Sequence, residues 1–181
     1  MLMLQFTGLS GSGKSTLARL FKDRMARNFI SVEIIDGDAY RRTYCSDLGY
    51  SKADRIENIR RLGVVASGVK AEVVIIAAIN PYEEAREELR RKYGARLIYL
   101  MCELDVLIER DTKGLYKRVL LSQDNPLKVS NLTGVNDPFE FPDRADLTLH
   151  TGSQGEKECV ESLLAFVLEQ QDMKAFNSSF Q

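Results

Sequence analysis

The residues best suited to do chemistry are Gly8-Leu9-Ser10-Gly11-Ser12-Gly13-Lys14-Ser15: a glycine, four residues, then Gly-Lys-Ser. That spacing suits a phosphate cradle. The glycines let backbone N–H groups turn inward toward an anion, and Lys14 adds a mobile cation for the outer phosphates. Ser15, followed by Thr16, brings a hydroxyl of the kind that ligates Mg2+ beside a bound triphosphate. The chemistry expected is binding of ATP with magnesium and reaction at its terminal phosphoryl group. A second candidate is Asp36-Gly37-Asp38. Here Asp36 is the metal-side carboxylate, and Asp38 orients a hydroxyl nucleophile or takes its proton. The run Val73 to Ala78 carries no terminal aspartate that would compete with Asp36 for the metal.

A loop of this kind works where a strand feeds a helix. Met1 to Thr7 is nearly unbroken apolar, and after the loop Leu17, Leu20, Phe21 and Met25 recur at helical spacing. The helix N-terminus then adds its positive dipole end to the cradle. Further strands are expected at Ser31 to Ile35, Val73 to Ile79, Leu97 to Met101 and Asp146 to His150. One helix starts at Ser51, with Ser51 and Asp54 close to a capping box, and runs toward Ala71. Another opens after Pro81 and stops at Gly94, and the last spans Glu156 to about Asp172, followed by a frayed tail over 173–181. Strands alternating with helices predict the α/β class: a five-stranded parallel sheet with helices on both faces, in three layers. Ligands of such sheets bind beyond the carboxyl ends of the strands, where Asp36 and Asp38 fall. The stretch from 111 to 144 holds Gly114, Pro126, Gly134, Pro138 and Pro142 with weak periodicity, and reads as a long mobile lid.

With 181 residues and 44% hydrophobic content, the chain is expected to form one domain. A net charge of −1, from 25 basic and 26 acidic residues, gives no general electrostatic reason to bind nucleic acid or an anionic membrane. Cys45, Cys102 and Cys159 are odd in number and widely spaced, as free thiols of a reducing compartment would be. The loop begins at Gly8, which leaves no space for a signal peptide, and no apolar run is long enough to span a membrane. The expected location is the cytoplasm.

Several longer motifs extend the reading: Asp36-Gly37-Asp38-Ala39-Tyr40-Arg41, Asp47-Leu48-Gly49-Tyr50, Asp54-Arg55-Ile56-Glu57-Asn58-Ile59-Arg60-Arg61, Asn80-Pro81-Tyr82, Arg110 through Lys117, and Thr133-Gly134-Val135-Asn136-Asp137-Pro138. In order and approximate spacing they resemble the motifs of adenylyl-sulfate (APS) kinases, a family of P-loop NTPases, over nearly the whole chain. The resemblance implies a P-loop kinase fold with a lid, and a homodimer. It also implies transfer of the γ-phosphoryl group of ATP to the 3′-hydroxyl of adenosine 5′-phosphosulfate, in sulfate assimilation. It places Asp38, Arg41, Arg55 and Asn58 on the nucleotide substrate, the arginines on its phosphosulfate, and brings Arg110 and Lys113 toward the ATP phosphates. Arginine suits an oxyanion because its planar fork binds two oxygens and stays charged.

Departures from the family pattern gather around the acceptor. Asn80 stands where the family often has a serine proposed as a phosphorylated intermediate, so direct in-line transfer is expected. Leu132, just before Thr133, replaces the usual phenylalanine that stacks on the adenine. Tyr50 replaces another phenylalanine and keeps the ring, Ala39 replaces an asparagine, and Ser122 to Ser130 reads as an insertion. Two alternatives follow. One is a related kinase for another nucleotide-linked anion, such as a cytidine diphosphate-linked phosphoramidate. The other is a regulatory NTP-hydrolysing switch, against which stands the absence of an Asn-Lys-x-Asp guanine motif.

Overall fold

The computed structural model describes the backbone of residues 1–178 and the side chains of residues 1–172. In chain order the elements are β1 (Leu2–Thr7), α1 (Lys14–Ala26), β2 (Val32–Asp36), α2 (Gly37–Arg41), α3 (Lys52–Ser67) and β3 (Val73–Ala77). There follow α4 (Glu83–Tyr93), β4 (Arg96–Met101), α5 (Leu104–Arg110), α6 (Leu115–Val119), β5 (Leu147–His150) and α7 (Glu156–Ser178). Sheet order is β2-β3-β1-β4-β5, with every neighbouring pair parallel.

All six residues of β1 are buried, because helices cover both faces of the sheet. Alternation along the strand divides them between two cores. Leu2, Leu4 and Phe6 join Leu17, Phe21 and Met25 of α1 and Leu163 and Val167 of α7 on one side. Met3 joins Ile56, Ile59 and Leu62 of α3 and Leu89 of α4 on the other. Strand β3 divides in the same way, with Val73 and Ile75 on the first side and Val74 and Ile76 on the second.

Some boundaries differ from expectation. β3 stops at Ala77 rather than Ile79, because Ile79 leaves the ladder and gives its carbonyl to the Gly8 amide and the Thr7 hydroxyl. α3 ends at Ser67, where Gly68 caps it, well short of Ala71. Helices α2 and α5 were not expected. α7 continues past Asp172 to Ser178, so the backbone of 173–178 is helical where a frayed tail was expected, and residues 179–181 lie outside the described residues.

The 111–144 segment is folded against the rest. Asp111 accepts from the amides of Tyr116 and Lys117, both at 3.0 Å, and so starts α6. Tyr116, Leu132 and Phe139 form a third apolar cluster with Leu9 and Leu107. Gly134, at φ 84°, lies so close over Leu9 that a Cβ would overlap its side chain. Among the described residues, no helix is long and apolar enough to cross a membrane.

Candidate active site

The turn from β1 into α1 passes close over β4. At Gly8, with φ 148°, a Cβ would lie 2.6 Å from the Leu100 carbonyl oxygen and 2.8 Å from Ser12 Oγ, so only glycine fits. Lys14 is half-buried as a whole, but its ammonium is enclosed. It donates to the carbonyls of Gly8 and Leu9, both at 2.7 Å, and to Ser12 Oγ at 3.3 Å. Burial, followed by the nearby charge of Lys113, pulls its pKa down to about 7, against the opposing pull of Asp38 and Asp36.

Ser15 Oγ donates to Asp36 Oδ2 at 2.7 Å, while Asp36 Oδ1 accepts from the amides of Asp38 and Ala39 at 2.9 and 3.1 Å. One carboxylate therefore caps α2 and reaches the phosphate loop. Burial raises the Asp36 pKa, but the Ser15 hydroxyl, the two amides and Lys113 outweigh it and hold the carboxyl below its ordinary value. Ser10, Gly11, Gly13, Lys14, Ser15 and Thr16 form one wall of a cavity of about 630 Å³.

A second cavity, of about 410 Å³, lies beside it. Asp38 and Arg41 of α2, Arg55 and Asn58 of α3, Tyr50, and Ile79 and Asn80 after β3 line it. The two cavities share Asp38, Tyr50, Arg55, Ala78, Ile79 and Lys113, and Asp38 and Lys113 are joined there as an ion pair. Ser51 caps α3 through the Asp54 amide, which fixes the turn of helix that presents Arg55. Arg55 is buried. It donates to the Tyr50 carbonyl at 2.9 Å, to Thr133 Oγ1 at 2.9 Å and to the Asn131 carbonyl at 2.8 Å. Asp137 lies 2.8 Å from Arg55 Nη2, a charge contact at an angle that makes no hydrogen bond. Arg41 Nη1 donates to the Gly49 carbonyl at 2.5 Å, and its guanidinium lies 4.9 Å from the centre of the Tyr50 ring, with that of Arg55 at 5.5 Å.

A family model described as Adenylylsulphate kinase matches residues 1–150. The adenylyl-sulfate kinase of Geotalea daltonii is 43% identical over 171 residues, covering 92% of this chain and 82% of that protein. The chain belongs to the adenylylsulphate kinase family. Among solved structures, the Mycobacterium tuberculosis APS kinase CysC in complex with AMPPNP and APS matches with a TM-score of 0.82 at 31% identity, covering 92% of this chain and 96% of that one. A probable bifunctional SAT/APS kinase of Sorangium cellulosum is 39% identical over 163 residues that take in 88% of this chain, and the match spans 27% of its length. As a member of the family the chain is a phosphotransferase that uses ATP.

Against the family pattern, the structure redistributes some expected site residues. Gly8, Leu9 and Ser12 shape the phosphate loop from within and do not line its cavity; Leu9 packs under the 111–144 segment. Arg110, expected at the ATP phosphates, turns away. It ends α5 facing the far side of β4, where it donates to the Thr151 carbonyl at 3.1 Å and contacts Cys102 Sγ at 3.8 Å. Leu132, expected against the acceptor base, is buried in the apolar cluster around Leu9 and borders the phosphate cavity rather than the smaller one. Thr133 is likewise on the phosphate side, accepting from Arg55. Tyr50 and Lys113 border both cavities.

Sequence reasoning missed Arg42 on the smaller cavity and Thr112, Arg118 and Lys128 on the larger. Arg118 and Lys128 are steadied by the carbonyls of Leu127 and Leu121, at 2.7 and 2.8 Å. Arg118 directly follows the quoted Arg110–Lys117 motif, which was a usable signal; Lys128 sits in the inserted stretch, which offered none.

Proposed function

We propose that this chain transfers the γ-phosphoryl group of ATP in line to the 3′-hydroxyl of adenosine 5′-phosphosulfate, giving 3′-phosphoadenosine 5′-phosphosulfate. The observation that carries this reading is the pair of cavities meeting at Asp38 and Lys113, one over the phosphate loop and one lined by arginines. Lys14 and the loop amides stabilise charge on the β- and γ-phosphates. Ser15 and Asp36 place two hard oxygens 2.7 Å apart beside them, a donor set that fits Mg2+ completing its shell with water and phosphate oxygens. Magnesium there would neutralise charge on the transferring group. Asp38 orients the acceptor hydroxyl or takes its proton; Arg41, Arg55, Tyr50 and Asn58 hold the nucleotide. With an amide at position 80, transfer runs without a phosphoserine. The 111–144 segment acts as the lid of a single domain, and the assembly is a homodimer working in the cytoplasm.

The test is a product assay with γ-labelled ATP against a panel of nucleotide acceptors. The reading expects label on the 3′-hydroxyl of adenosine 5′-phosphosulfate. No transfer to that compound alongside efficient use of a cytidine diphosphate-linked phosphoramidate would leave only the kinase fold standing.

A further inference from the structure

One wall of the smaller cavity carries an unmet hydrogen-bonding demand. Asn80 is 2% exposed, and its Oδ1 is buried without a partner among the described residues. Its orientation is set by a chain of neighbours. The Arg86 main-chain carbonyl can only accept, so Gln5 Nε2 donates to it, at 3.0 Å. That turns Gln5 Oε1 toward Asn80, whose Nδ2 donates to it at 3.1 Å. Flipping either amide would set two acceptors face to face in a buried site. The Asn80 atom turned away from Gln5 is therefore Oδ1, an acceptor by necessity, on a residue that lines the cavity.

The rest of the residue is fixed as firmly. The Asn80 carbonyl accepts from Thr7 Oγ1 at 3.0 Å and Arg86 Nη1 at 3.2 Å, and its backbone sits at φ 47°, which asparagine tolerates better than most side chains. Asn58, on the facing helix α3, also has a buried Oδ1 without a partner and lines the same cavity. Neither asparagine borders the phosphate cavity, so both lie at the end remote from the transfer position. A neutral acceptor oxygen repels the oxyanions of a phosphosulfate, which the arginines suit instead. It suits an N–H donor on a part of the nucleotide away from the reacting hydroxyl.

We propose that the Asn80 carboxamide, held by Gln5 and Arg86, accepts a hydrogen bond from the exocyclic amino group of the acceptor's base and selects amino over oxo bases. The proposal rests on the acceptor reading above. A buried acceptor left unmet costs a tenfold to hundredfold change in affinity, roughly, and that is the discrimination expected.

The experiment measures kcat/KM for matched amino and oxo acceptors, adenosine against inosine 5′-phosphosulfate and the cytidine and uridine equivalents. Wild type is compared with Asn80→Gly, which keeps the positive φ, and with Asn80→Ser. Circular dichroism and titration with ATP check that each variant folds and keeps its donor site. Wild type should favour the amino member of whichever pair it uses by about 10- to 100-fold, and Asn80→Gly should bring that ratio within about threefold of unity. A merely structural role would lower both rates and leave the ratio unchanged, which would overturn the proposal. If both variants fail to fold, the wild-type ratio alone decides, and a value near one would overturn it. Absence of adenylyl turnover counts against the acceptor reading, whereas the ratio within the cytidine pair still tests Asn80.

Discussion

The two cavities are built by opposite strategies. The phosphate cavity draws its defining wall from one short stretch of chain between Ser10 and Thr16, where backbone geometry and a helix N-terminus do most of the work. The smaller cavity collects side chains from α2, α3 and the end of β3, and its central arginine is tied to residues 76 to 82 positions away in sequence. The two sites can therefore fail in different ways. On the proposed reading, chemistry on the phosphate side depends on a few local donors, whereas acceptor binding depends on whether the 131–137 stretch stays latched to Arg55.

The largest effect expected from breaking that contrast is Lys14→Ala. Among the described residues its ammonium bonds only to its own loop, and it contributes little core packing, so turnover should fall by about 10²- to 10³-fold with circular dichroism unchanged. A folded variant retaining more than about a tenth of wild-type turnover would remove Lys14 from phosphate stabilisation. Next is Arg55→Ala, which strips three hydrogen bonds and a largely buried ion pair from the acceptor side. It should lower kcat/KM for the acceptor by about 10- to 100-fold and stability by about 1–3 kcal/mol, while affinity for ATP by calorimetric titration changes little. Equal loss of ATP affinity with no acceptor effect would mean that the cavities do not divide the work.

The smallest effect sharpens the contrast instead. Leu132 is packed around Leu9 and does not reach the smaller cavity, so Leu132→Phe should overpack that cluster and lower the melting temperature. Base stacking is worth about 1–3 kcal/mol, and a gain of that size in acceptor binding would show that the phenylalanine reaches the base and that residue 132 belongs to the acceptor cavity.

The same contrast explains what could be read from the sequence. The phosphate loop was legible because its residues are contiguous and its flanking strand and helix follow from simple periodicity. Asp36 was legible as a metal-side carboxylate; the structure adds that one of its oxygens caps α2 while the other accepts from Ser15. Arg41, Arg55 and Asn58 were reached only through resemblance, because no local pattern pairs Arg55 with Thr133. The surroundings of Arg110 were not legible for the same reason: its partner Thr151 is 41 positions away. The order within 111–144 was missed because Asp111 capping α6 and Leu132 packing on Leu9 are tertiary contacts in a stretch without periodicity. No sequence pattern announced the Arg86–Gln5–Asn80 relay, since a glutamine inside an apolar strand looks like an interruption of the core.

On the proposed function, transfer occurs where the cavities meet, at Asp38 and Lys113. Steady-state kinetics of Asp38→Asn, with ATP and adenosine 5′-phosphosulfate each varied, test it most directly. The side chain is exposed and makes no core contact, so the fold should survive. A carboxylate that orients or deprotonates the hydroxyl contributes about 10²- to 10⁴-fold, so kcat should fall by at least about 10² while both KM values stay within about threefold. An unchanged kcat, or a loss confined to KM for ATP, would contradict the claim and move the transfer position elsewhere in the site.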